Sequence, residues 1–261
     1  MTSSTDATTG AEIEQMPARG PMIRLGHFAF RRRKYLFPLV FLPIVALTTR
    51  GLLLGSDRFD MWLDIAGVAV ALCGQALRGA VIGLAYIVRG GRSGKIAADG
   101  LVTTGLFAHA RHPLYVGNIL VVIGLLLILN SIPGYLVVLP FFLITYASLV
   151  LAEEDFLRGR FGAEYDDYHR RVNRFVPSLS GIGATLRSMR FDWLRLVRKE
   201  YGSTFAWVSM AIFLRVFTDH LRHPGLPTHP SVPVALLLWG FVLTAWVIVR
   251  QLKKAKRLGS S

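Results

Sequence analysis

A single cysteine, Cys73, stands among 261 residues, so no intrachain disulfide can form and a thiol-based metal centre is excluded. Acidic residues are scarce as well: 16 Asp and Glu face 30 Lys and Arg, for a formal charge of +14. No G-x-G-x-x-G run is present, which removes the sequence signal for a dinucleotide fold. The first twenty or so residues have no apolar stretch to serve as a signal-peptide core, and their Thr, Ser, Ala and acidic residues read as a disordered tail. Apolar sequence, by contrast, is abundant. It makes up 52% of the chain and is gathered into blocks of about 20 residues nearly free of charge, the signature of a polytopic membrane protein.

Six apolar spans are predicted, at about 35–54, 61–87, 114–130, 133–152, 203–218 and 232–249. Continuous apolar runs without alternation favour helices, so the expected fold is an all-α transmembrane bundle. The fifth span is the weakest, being short and carrying Arg215 near its end. With the N-terminus in the cytosol, 25 of the 30 basic residues fall on the cytosolic side, three (Arg50, Arg58 and Arg222) on the opposite side, and Arg78 and Arg215 within spans. This split places both termini in the cytosol. Basic residues clustered beside apolar blocks meet lipid headgroups, and nucleic-acid binding is not expected. The chain divides into a disordered tail (1–30), an N-terminal span region (31–60), a core (61–178), a basic cytosolic linker (179–202) and a two-span extension with a basic tail (203–261).

Spans three and four are joined only by the turn Asn130-Ser131-Ile132-Pro133-Gly134, which predicts an antiparallel hairpin. Its free ends, "ARHPLY" at Ala110–Tyr115 and "LAEEDF" at Leu151–Phe156, should therefore meet at the cytosolic surface. The connector 88–113 is rich in Gly and basic residues, but a phosphate loop would need Gly at Arg89 and Ser or Thr at Ile96. Residues 153–200, with Phe156, Tyr165, Tyr168, Val172 and Phe175 at helical spacing and charges between, read as an amphipathic segment covering the hairpin mouth.

Each polar residue at this mouth has an ordinary reading beside a functional one. Pro113 suits the first turn of any helix, and Arg111 suits a headgroup anchor. His112 adds an imidazole titrating near neutrality at the edge of the hydrocarbon. His109 and His112 form H-x-x-H, but without a third ligand at suitable spacing no metal site is expected. Glu153 and Glu154 end a helix where carboxylates oppose the macrodipole. One of them faces inward and needs a cation such as Arg111 or Arg174. Arg78, about seventeen residues into span two, either snorkels to the surface or pairs with Glu153, Glu154 or a bound anion. Cations, carboxylates and aromatics at one level suit a zwitterionic nucleoside, and a lipid headgroup asks for similar partners.

The ordered run Leu101-Val102-Thr103-Thr104-Gly105-Leu106-Phe107, Arg111-His112-Pro113-x-Tyr115-x-Gly117 and Glu153-Glu154-x-x-Leu157, continuing through Phe161-Gly162, Tyr165, Tyr168, Val172, Arg174-Phe175 and Pro177, resembles the isoprenylcysteine carboxyl methyltransferases and the related phospholipid methyltransferases. Leu77-Arg78 resembles that family's arginine-bearing helix. The resemblance covers about 68–178. It implies an integral-membrane enzyme that uses S-adenosyl-L-methionine without a Rossmann domain. Arg111, His112, Pro113, Tyr115 and Gly117 would shape the cofactor pocket. Glu153 or Glu154 would bind its ammonium or ribose, and Tyr165, Tyr168 and Arg174 would close over it. His112, Glu153, Glu154 and Arg78 are the candidates for catalysis on a lipid or lipidated acceptor bearing a carboxylate, phosphate or amine. The expected location is a bacterial inner membrane, since the chain is rich in Arg and Ala and poor in Lys. The rival class is a non-enzymatic membrane protein, a small transporter or assembly subunit, which explains the spans but not the ordered cytosolic run. A phospholipid amine N-methyltransferase is the alternative within the enzyme class. Two further spans after Pro177 depart from the family pattern and have no assigned role.

Overall fold

A computed structural model of the chain describes residues 20–48, 57–84, 100–222 and 231–255. The glycine-rich connector up to residue 99 and the tail before residue 20 lie outside the described residues. Helices follow in the order α1 (Pro21–Leu47), α2 (Asp57–Leu84), a 3-10 turn (Gly105–Ala108), α3 (Pro113–Leu129), a π turn (Gly134–Val138), α4 (Leu139–Arg171), α5 (Ile182–Ser188), α6 (Trp193–Arg222) and α7 (Ser231–Lys254). Among the described residues there is no strand, and the fold is an all-α helical bundle. Stretches Arg58–Leu84, Gly134–Arg171 and Val232–Lys254 are long and apolar enough to cross a membrane. Tyr35–Leu47 and Pro113–Leu129 are apolar but shorter. The 17 residues of α3 reach only about 25 Å, slightly less than the hydrocarbon thickness of about 30 Å. Of the six expected spans, α6 falls short in composition, because charges crowd both of its ends around Ser, Thr and Gly.

Two helix starts differ from expectation. α1 begins at Pro21, so residues 21–30 are helical and not part of a disordered tail. The cause is packing: a Cβ on Gly26 would collide with the backbone of Ser148 on α4, and Ala29 and Phe30 are buried in the core. α6 begins at Trp193, ten residues before the expected span, so the stretch read as a basic linker supplies two to three turns of a helix that leans on α2 and α3.

α2 and α3 pack most closely, along a glycine seam. A Cβ built on Gly67 would sit 2.6 Å from the Gly124 carbonyl, and one on Gly74 2.6 Å from the Gly117 carbonyl. Small residues at such a seam let two backbones approach and gain dispersion contact where lipid offers no hydrophobic driving force. α1 lies along α4, and α7 rests on α6. The core between them gathers Phe41, Val122, Leu126, Leu129, Phe142, Tyr146 and Leu214. α7 turns Leu237 and Phe241 outward at 76% and 75% exposure, as expected for a lipid-facing helix.

The hairpin turn ends α3 with Asn130 in the left-handed region, φ 45°, and Asn tolerates that region better than most residues. Its amide donates to Asp60 Oδ1 at 2.7 Å, tying the turn to the start of α2. Ser131 and Thr48 share a hydroxyl hydrogen bond at 2.9 Å. Arg215 is held at this same end between Asp64 at 3.2 Å and Asp219 at 2.8 Å. This explains how an arginine lies within the fifth apolar stretch. The far end is thus pinned by buried polar pairs, and the opposite ends of α3 and α4 are left to build the mouth.

Candidate active site

His112 is the N-cap residue of α3, yet its side chain makes no cap hydrogen bond. Pro113 at the first helical position has no N–H to satisfy, so the helix can start while the imidazole points elsewhere. That elsewhere is Glu154 on α4: His112 Nε2 lies 3.2 Å from Glu154 Oε1, and Nδ1 lies 3.8 Å from Glu153 Oε2. Tyr115, one turn along α3, donates its hydroxyl to Glu153 Oε2 at 3.3 Å. The hairpin therefore brings "ARHPLY" and "LAEEDF" together, and both glutamates reach the same imidazole.

Glu154 is the better satisfied of the two. Arg174 grips it with Nε at 3.1 Å and Nη2 at 2.7 Å, and Arg111 Nη1 stands 3.5 Å away. Its residue exposure is 4%, so these cations replace the water that a carboxylate would otherwise require. Glu153 keeps a side-chain exposure of 17% and, among the described residues, has only the tyrosine hydroxyl within hydrogen-bond distance. Of the pair, Glu154 holds the site together and Glu153 faces the open side.

The covering segment is fastened by backbone as well as side chains. Arg111 and His112 donate their N–H groups to the carbonyls of Asn173 and Arg174 at 2.9 and 3.0 Å, and Ser178 donates to the His109 carbonyl at 2.9 Å. Residues 109–112 and 173–178 thus run side by side across the mouth, and Phe175 lies against the His112 ring at 6.4 Å between centroids. Gly162, at φ 50° and ψ −124°, breaks α4 and turns its last turns back toward the mouth. Tyr165 and Tyr168 follow the break and are 1% exposed, but they pack with Leu157, Leu101 and Val172, not around the glutamate pair. Tyr168 donates its hydroxyl to the Phe107 carbonyl at 2.7 Å. Both tyrosines brace the segment leading into the Arg-His pair.

His109 is likewise committed: Nδ1 lies 2.7 Å from the Ser178 carbonyl and Nε2 2.9 Å from Thr185 Oγ1. The H-x-x-H spacing therefore serves loop fastening and one ion pair. Among the described residues no group of three or more His, Cys, Asp and Glu converges as for a metal.

Arg78 neither snorkels nor reaches the glutamate pair. Its Nε and Nη2 clasp Glu200 at 2.9 and 2.6 Å, and Nη1 donates to Asn118 Oδ1. Gln75 donates to the same Glu200 at 3.0 Å and accepts from Trp207 at 2.9 Å. Gly117 makes room for this arrangement, since a Cβ there would lie 2.6 Å from Arg78 Cγ. Glu200, 4% exposed, is a buried carboxylate that no sequence motif points to. Its only sequence signal is a carboxylate at helical register with an apolar run, within a stretch otherwise dominated by Arg and Lys.

The residues present fit S-adenosyl-L-methionine. Arg111 is 6% exposed and its Nε has no hydrogen-bond partner among the described residues, a donor suited to an amino-acid carboxylate. Glu153 offers an open carboxylate to an ammonium or ribose hydroxyls, and the Tyr115 and Phe175 rings flank His112. Aromatic faces suit both a base and a sulfonium.

Residues 65–164 match the phospholipid methyltransferase family. Over 140 residues the chain is 32% identical to the nickel-cobalt-cadmium resistance protein of Alcaligenes xylosoxydans xylosoxydans, covering 52% of this chain and 62% of that protein. It is 33% identical over 131 residues to the protein-S-isoprenylcysteine O-methyltransferase of Mus musculus, covering 48% of this chain and 45% of the mouse protein. The Tribolium castaneum protein of the same name is 32% identical over 128 residues, covering 46% and 43%. The chain thus spans between 43% and 62% of the length of these relatives. No solved structure matches it.

Proposed function

We propose that this chain, an integral-membrane member of the phospholipid methyltransferase superfamily, transfers a methyl group from S-adenosyl-L-methionine to a lipid or lipidated acceptor at the cytosolic face of a bacterial inner membrane, with both termini cytosolic. The observation that carries this reading is the caged Glu154, held by His112, Arg111 and Arg174 beside an open Glu153. A purely structural helix end does not gather two guanidiniums and an imidazole onto one carboxylate and leave a second carboxylate facing outward.

The cofactor, when bound, supplies an electrophilic methyl on sulfur. Arg111 would hold its carboxylate and Glu153 its ammonium or ribose, and Tyr115 and Phe175 would border it. Catalysis by the protein's own groups is then mainly alignment and exclusion of water. The backbone bridge between 111–112 and 173–174 serves both, because it holds the covering segment across the mouth. An ionised acceptor needs no base. An amine must lose a proton, and His112 or Glu153 is positioned to take it.

The test is incubation of the protein in native lipid with methyl-labelled cofactor, followed by identification of the labelled species. Label in a lipid, lost in His112→Ala and Glu153→Ala, is the expected result. Label confined to water-soluble products refutes the lipid acceptor, and a folded protein that binds no cofactor at millimolar concentration refutes the enzyme.

A further inference from the structure

The C-terminal extension reaches back into the core at one charged point, and that point lies about one helical turn along α3 from Tyr115 at the mouth. From the mouth, Glu153 touches Tyr115, whose ring lies 5.7 Å from that of Tyr146. Arg78 comes next, packed on Gly117 and Asn118, one turn inward from Tyr115. On the methyltransferase reading, an acceptor head that reaches Tyr115 and Glu153 stands about one helical turn from this arginine. On the other side of the pair, a crevice of about 370 Å³ between α6 and α7 is lined by Gln75 and Glu200 and by Phe205, Val208 and Trp246.

We infer that Glu200 is a specificity-determining residue, a built-in counter-anion that occupies Arg78 and thereby turns the site away from acceptors with an anionic head. The inference rests on the methyltransferase reading and narrows it. All three donor nitrogens of Arg78 are used, two by Glu200 and one by Asn118. Glu200 in turn has both oxygens engaged, one by Arg78 alone and one shared with Gln75. The arrangement is neutral and closed. A carboxylate or phosphate head can take Arg78 only by evicting Glu200, which would leave a second carboxylate unpaired where its side-chain exposure is 5%. Removing one partner from a buried pair disfavours a state on the order of a hundredfold or more. A neutral or cationic head carries no such penalty, so Arg78 positions α2 and α3 against α6 and does not orient an acceptor.

The experiment measures equilibrium binding of labelled N-acetyl-S-farnesylcysteine, a carboxylate, and of its neutral methyl ester to purified protein by scintillation proximity, with cofactor binding followed on the same preparations. Wild type is expected to bind the carboxylate no better than the ester. Glu200→Gln keeps the shape and the Gln75 contact but leaves the guanidinium charge uncompensated, and should shift the ratio toward the carboxylate by about tenfold or more. Arg78→Gln with Glu200→Gln removes both charges and should restore the wild-type ratio. A merely structural role would weaken both amphiphiles equally. Preference of wild type for the carboxylate, an unchanged ratio in Glu200→Gln, or failure of every form to bind either amphiphile overturns the inference while cofactor binding stands. Absence of cofactor binding in wild type removes the methyltransferase reading itself and this inference with it.

Discussion

Replacing Glu154 with Gln separates the residue that holds the mouth from the one that serves it. The substitution keeps the side chain's volume and one carbonyl acceptor. It removes the charge facing Arg111 and His112, which are 6% and 4% exposed. Breaking a buried pair by deleting one partner costs about 3–5 kcal/mol. Arg174, with its side chain 40% exposed, regains water and adds no more than a surface pair, about 0–1 kcal/mol. Allowing for the acceptor that Gln keeps, the expected loss is about 3 kcal/mol, a drop of about 6–12 °C in Tm for a chain of this size. Glu153→Gln provides the comparison. Its oxygen is 3.3 Å from the Tyr115 hydroxyl and 3.8 Å from the imidazole at 17% exposure, so its stability change should stay below about 1 kcal/mol while cofactor affinity falls about tenfold or more. Thermal unfolding in detergent and cofactor titration on both variants provide the readout. Equal destabilisation by the two, or a Glu154→Gln protein melting within 2 °C or so of wild type, refutes the division of labour.

Four further expectations concern the scaffold. Gly74→Ala should destabilise by about 1–3 kcal/mol in a thermal scan, because its new Cβ would fall 2.6 Å from a backbone carbonyl on α3. Gly159→Ala, with nothing within 4 Å, should instead gain up to about 1 kcal/mol from helix propensity. Tyr168→Phe should cost about 1–3 kcal/mol by leaving the Phe107 carbonyl without its 2.7 Å donor, and hydrogen exchange should rise first in residues 101–110. Asn130→Ala loses both a side chain suited to φ 45° and the donor to Asp60, whereas Asn130→Gly loses only the donor, so the alanine variant should melt lower.

Much of this arrangement was legible in the sequence because it depends on local rules. Apolar runs give the helices, the Asn-Ser-Ile-Pro-Gly turn gives the hairpin, and the hairpin gives the meeting of His112 and Tyr115 with Glu153 and Glu154. The covering role of 172–177 also follows, since Arg174 has the right charge and distance along the chain to return to Glu154. The packing partners of Tyr165 and Tyr168 are not legible there for a physical reason: helical spacing reveals that an aromatic face is buried, but not against what. The helical state of 21–30 was hidden because Arg and Lys in α1 mask a short apolar seam whose value lies entirely in contact with α4. Arg78's partner was missed because Glu200 is 122 residues away and its neighbours are Arg198, Lys199 and Tyr201, so nothing nearby suggests insertion into a bundle.

That last contact changes the status of the region after Pro177. In the sequence, α6 and α7 look like an appendage to a core that ends with the covering segment. The match to the phospholipid methyltransferase family also stops short of them, at residue 164. Yet Arg78 stands within that matched region, and an arginine in a membrane helix is tolerated only with a partner or a route to water. Here the partner is supplied from outside the matched region, through a bidentate pair that a point charge such as Lys could not reproduce. An excised core ending near residue 178 would carry an uncompensated guanidinium beside Asn118 and Gly117. The extension therefore acts on the core electrostatically as well as by packing, and any acceptor preference measured on a truncated chain would reflect an exposed Arg78, not the site of the whole protein.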